Sequence, residues 1–277
     1  MHSTITQSLR EYARGIAGGL MFSLPLLYTM EVWWAGFVAE PFRLLVYLAA
    51  TFVLLLGYNH FAGLRHDASW VEVVIDSVEE LGLGLLAAAG LLFLLGRLRA
   101  DLGVYENIGK ITVEAMTVAI GISVGTAQLG ASNDDEQKGS AQVSAKQDPK
   151  FGGQVVIAAC GAMLFAANVA PTEEIVLIAT ESGIPRLIGL AAVSLLLTAL
   201  ILYYIEFIGS GQFVRRNGMF SVVVGTVVTY AVALAISAAV LWFFGRFDAG
   251  LLTSVSETVV LGVAATLGAS AGRLLVQ

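Results

Sequence analysis

Four glutamates of this chain, Glu31, Glu114, Glu174 and Glu257, interrupt stretches that are otherwise apolar. A charged acid near mid-bilayer costs ~2.5–3.5 kcal/mol, and less towards the interface, so each needs a proton, a partner or a water-filled cavity. Oxygen ligands of this kind suit hard cations, and clustered carboxylates share protons, which suits proton coupling. The four acids are therefore the candidate cation- or proton-binding set, and Thr29, Thr172 and Asn168 add neutral oxygens close by in sequence. Which metal such a site would take is open, since carboxylates serve H⁺, Na⁺, Ca²⁺ and Mn²⁺ alike. Pro25 and Pro171 are candidate helix breaks beside them: a proline frees the carbonyl four residues earlier, here Met21 and Ala167. Freed carbonyls are tolerated in membranes where they are buried in protein or line a cavity. The competing structural reading is that the prolines only kink their helices and the acids pair with Arg43 and Arg186 as packing struts.

The elements that must position these residues follow from composition. Of 277 residues, 57% are hydrophobic and only 13% charged, against ~25% charged in ordinary soluble domains. Basic residues are few and scattered, so the net charge of −6 carries no nucleic-acid face. Cys160 is the only cysteine, which excludes an intrachain disulfide. Apolar segments of the length needed to cross a ~30 Å hydrocarbon core are expected at 14–38, 42–63, 76–98, 106–130, 153–179, 186–209, 219–245 and 251–275. The first is read as a membrane span and not as a removed leader, because it is too long for a signal peptide's apolar core and contains Glu31. The polar stretch SNDDEQKGSAQVSAKQDPK begins at 132 and reads as a linker. It separates a first four-helix membrane repeat (1–131) from a second (151–277), with the linker at 132–150. Lys and Arg near span ends are biased towards the side holding the linker and both termini, which places that side in the cytoplasm.

A shift of 143 residues (Glu114 to Glu257) superposes the halves. GGLMFSLPLLYTME (18–31) then lies over GAMLFAANVAPTEE (161–174), matching Gly18 with Gly161 and Glu31 with Glu174. Arg43 meets Arg186 and Gly125 meets Gly268 at the same shift. With small gaps, LLFLLGRL (91–98) lies over VLWFFGRF (240–247). Four spans per copy is an even number, so the copies enter from the same side and are expected to be parallel repeats. The expected fold class is all-α, a polytopic membrane helix bundle of about eight transmembrane helices. At 1.5 Å per residue the four acids come out at a similar level in the outer third of the membrane.

Weaker candidates remain. His60 and Glu206, near matching span ends, could form an inner gate. Asp76, Glu79 and Glu80 read as acids at the start of the third span, where the helix dipole favours them. Glu173 stands about 100° round the helix from Glu174. Gly121 and Gly125 form a GxxxG helix-contact pattern. No HExxH, GxSxG, paired-cysteine or P-loop motif occurs, so neither an enzyme nor ATP-driven transport is expected, and no cofactor is implied.

The duplicated segments LMFSLPLLYTME and MLFAANVAPTEEI, eight spans and a polar central linker resemble an uncharacterised family of bacterial integral membrane proteins. The resemblance implies a prokaryotic inner-membrane location and an eight-span layout, and transfers no functional residue. Function rests on the intramembrane chemistry: a cation transporter or channel, proton-coupled or divalent, whose partners are the bilayer and the ion. The alternative is a non-transporting membrane sensor or assembly protein whose buried acids are structural.

Overall fold

The computed structural model describes residues 5–63, 69–99, 101, 103–137, 151–204 and 214–275. Among them lie ten α-helices, a short 3₁₀ turn and no strand. Seven helices are long and apolar enough to cross a bilayer, and a bent pair brings the number to as many as eight. The chain is a polytopic membrane helix bundle. It divides into two compact units, Met1–Pro149 and Lys150–Gln277.

The first unit contains α1 (Ile5–Leu27), α2 (Met30–Val38), α3 (Pro41–Ala62), α4 (Trp70–Leu94) and α5 (Val104–Gln137). Its core is built around α5, whose residues 113–125 are all buried. Small residues permit this. A Cβ on Gly125 would stand 2.7 Å from the Gly18 Cα, so α1 and α5 meet backbone to backbone. Gly84 of α4 packs on Ala115 and Ala119 in the same way, and Gly36 of α2 presses on Gly109 and Lys110.

The second unit contains α6 (Phe151–Val169), α7 (Glu173–Glu181), α8 (Ile184–Tyr204), α9 (Val214–Phe243), the 3₁₀ turn Arg246–Ala249 and α10 (Leu251–Leu275). Its central helix is α10, packed by α6, α8 and α9. Gly161 of α6 lies directly on Gly268 and Gly272 of α10.

Four expected spans have different ends. The run 14–38 is not one helix: α1 stops at Leu27 and α2 leaves at 87° to it. Pro25 lies inside α1, and the break follows two residues later. Hydropathy stays high through the bend, so an apolar count alone joins the two. The run 153–179 is likewise divided at 170–172, between α6 and α7. Finally, α4 begins at Trp70 and not near 76, because Ser69 and Glu72 form a reciprocal capping box. The Ser69 backbone N–H donates to Glu72 Oε2 at 2.7 Å. At its other end α5 runs on to Gln137, into the stretch read as linker.

Candidate functional site

Of the four glutamates, the two on central helices are sealed from solvent: Glu114 on α5 is 0% exposed and Glu257 on α10 is 1% exposed. Neither oxygen of Glu114 has a hydrogen-bond partner among the described residues, nor does Oε2 of Glu257. Unpartnered buried acids are costly, because burial strips their hydration without replacing it. The Glu114 carboxyl lies within electrostatic reach of Tyr47 on α3, and Glu257 within reach of Arg246 and Glu173.

The other pair sits at the helix breaks. Glu31 opens α2 and is half-buried, while Glu174 opens α7 and is exposed. Both are first-turn acids, where a helix dipole favours negative charge. The neighbouring neutral oxygens serve the breaks themselves. Thr29 Oγ1 donates to the Pro25 carbonyl at 2.7 Å and Thr172 Oγ1 to the Val169 carbonyl at 2.9 Å. Asn168 Nδ2 donates to the Leu164 carbonyl one turn back. Pro171 is buried, and its carbonyl accepts from Arg246 Nη2 at 2.7 Å; the same nitrogen reaches Glu173 Oε1 at 3.0 Å. An arginine also braces the first break. Arg97 stacks over the Trp33 ring, 4.4 Å from its centroid, and Trp33 Nε1 donates to the Leu27 carbonyl at 3.2 Å. Each of these arginines follows a left-handed glycine, Gly96 at φ +67° and Gly245 at φ +73°. A side chain would strain either position.

No group of three or more His, Cys, Asp or Glu side chains able to hold a metal occurs among the described residues. His60 is exposed and stacks on Trp70, with ring centroids 4.4 Å apart. Its proposed counterpart Glu206 lies outside the described residues.

This arrangement of long apolar helices packed through glycines around sealed carboxyls is that of an integral membrane protein. A family model described as "Putative integral membrane protein (DUF2391)" matches residues 11–276. The chain belongs to the DUF2391 family. No curated protein and no solved structure matches it.

The first unit of the DUF2391 protein holds a polar cluster that the sequence reading did not separate from its surroundings. Asn59 Nδ2 of α3 donates to Glu80 Oε2 at 2.7 Å and to Ser77 Oγ at 3.1 Å, both on α4. Ser123 Oγ of α5 donates to Asn59 Oδ1 at 2.9 Å. Asn59, Ser77 and Ser123 are buried and Glu80 half-buried, so three helices meet on one carboxyl. With α4 starting at Trp70, Glu80 lies well beyond the first turn, and the helix dipole does not account for it. The Ser-x-x-Glu pattern at 69–72 was the signal that could have shown this.

At the other end of the unit, a cavity of about 660 Å³ opens between α2, the end of α4 and the start of α5. Trp33 and Trp34 line it with Arg97, Arg99, Glu106 and Lys110. Lys110 Nζ is ion-paired with Glu106, one turn earlier on α5, and Arg99 Nη2 with Asp101 at 2.6 Å.

Proposed function

We propose that the DUF2391 protein is a secondary transporter or channel for protons or small cations, in which Glu114 and Glu257 carry the charge. The observation that supports this most is the pair of sealed, under-satisfied carboxyls on the two central helices. An acid kept in such a place is stable only in the company of a proton or a cation. Motive force would come from an ion gradient, since the sequence has no phosphate-binding loop.

The two units would be copies related by duplication. Each has a helix, a break, a nine-residue helix, two further helices and a central helix bearing a buried glutamate. Glycine contacts at Gly18–Gly125 and Gly161–Gly268 recur at the spacing of the glutamates, and a left-handed glycine followed by arginine recurs after α4 and after α9. An inner-membrane location with both termini cytoplasmic goes with this reading, through the Lys and Arg bias. Glu31, Glu174, Thr29, Thr172 and Asn168 would shape the breaks near the pathway. A non-transporting structural role is favoured for Glu174 alone, by its exposure.

Purified protein in liposomes, with a pH-sensitive dye inside and an imposed potential, tests the proposal. Wild type should pass protons or metal cations, and Glu114→Gln and Glu257→Gln should abolish the flux while keeping the melting temperature. A silent wild type, or two variants that conduct as wild type does, would overturn it.

A further inference from the structure

The first unit contains protonatable and hydroxyl groups from one end of its core to the other. On α5, Glu106, Lys110 and Glu114 follow at intervals of four residues and so share one face. Glu106 and Lys110 line the open cavity, while Glu114 is sealed. From Glu114 the next group is Tyr47, and Tyr47 begins a stripe on the buried face of α3 that continues through Thr51, Leu55, Tyr58 and Asn59. The Thr51 hydroxyl has no hydrogen-bond partner among the described residues. Asn59 then hands the stripe to Glu80, which lies within electrostatic reach of Asp76 and Glu79 towards the start of α4. The distance is appropriate: Tyr47 to Asn59 spans about 18 Å of helix, more than half the hydrocarbon thickness.

We infer that the first unit forms a proton path, entering at the cavity beside Glu106 and Lys110, loading Glu114, and leaving at Glu80, which Asn59 holds in place. The inference rests on the transport reading above and narrows its substrate to H⁺. A proton taken up at Glu106 is matched by one released from Glu80, and every group between returns to its starting state, so no redox partner is needed. Leu55 is the one apolar member of the stripe, fully buried one turn from both Thr51 and Tyr58. It acts as the plug: protons pass only when water or a side-chain rotation bridges it.

The test measures proton uptake into liposomes holding the full chain, with Na⁺ and Ca²⁺ flux measured in parallel. Thr51→Val and Glu80→Gln preserve size and should each slow proton uptake by at least about tenfold, with an unchanged melting temperature. Glu80→Asp should restore part of it. Leu55→Ser should raise uptake several-fold, a gain that loss of folding with its lowered melting temperature would not mimic. Proton flux that is unaffected by Thr51→Val and Glu80→Gln but lost in Glu114→Gln or Glu257→Gln would overturn the path and leave transport standing. A wild type that moves metal cations and no protons would also overturn the path alone. A wild type that moves no ion would end both readings.

Discussion

Arg246 of the 3₁₀ turn closes on Pro171, its Nη2 donating at 2.7 Å to the carbonyl that the α6–α7 break leaves in the protein interior. A carbonyl exposed by a break in a membrane helix must find a donor inside the protein, and here the donor is charged. The accompanying contact with Glu173, whose side chain is 73% exposed, adds little.

Removing that donor is therefore predicted to matter more than removing its acid. Arg246→Ala should destabilise the second unit by about 1.5–3 kcal/mol, the range for a hydrogen bond from a charged group. Glu173→Gln should cost less than about 1 kcal/mol. Thermal denaturation in detergent, with both variants in parallel, checks the order. Equal losses would show that the ion pair, and not the carbonyl contact, holds the break.

Glycine positions give a second prediction with a built-in contrast. A Cβ on Gly125 has no room against Gly18, whereas one on Gly82 or Gly90 of α4 meets nothing within 4 Å. Gly125→Ala should cost about 1–3 kcal/mol through overpacking. Gly82→Ala and Gly90→Ala should be neutral or stabilising by up to about 1 kcal/mol, from helix propensity. Melting temperatures of the three variants would settle the matter.

The start of α4 yields a third. Ser69→Ala removes a capping box whose partner is Glu72, and should cost about 1 kcal/mol. Because the cap is at the helix end, hydrogen exchange should quicken in the first turn of α4 and stay slow at Ser77 and Glu80. Faster exchange along the whole helix would contradict this.

A fourth concerns the acids at unequal burial. Glu174→Gln should leave liposome flux within about twofold of wild type, since the side chain is exposed. Glu114→Gln should abolish flux and leave thermal stability equal or higher, because an amide of the same shape carries no charge into the core. Loss of flux in Glu174→Gln would put the break, and not the central helix, at the centre of transport.

Much of this arrangement was legible in the sequence. Long apolar runs announced the helices, and an acid such as Glu114 inside a run announced its own cost. Gly18 and Gly161 could be paired by spacing, and each turned out to touch the glycine that the same spacing pairs with its partner, Gly125 and Gly268. What could not be read was direction. Hydropathy is blind to a turn of the chain that leaves composition unchanged, so the 87° bend after Leu27 looked like continuous helix. Glu80 was assigned to a helix start because the start was misplaced, and the Asn59 and Ser123 contacts that define its role come from other helices. Thr29 and Thr172 are expected to offer oxygens to an ion, and giving their hydroxyl protons to nearby carbonyls leaves the oxygen lone pairs for that role.

The close sheathing of α5 along residues 113–125 has a consequence for traffic. The Glu114 carboxyl lies within that sheath and is fully buried, so lipid does not touch it. The proposed traffic at Glu114 therefore needs its neighbours to part before anything reaches the carboxyl.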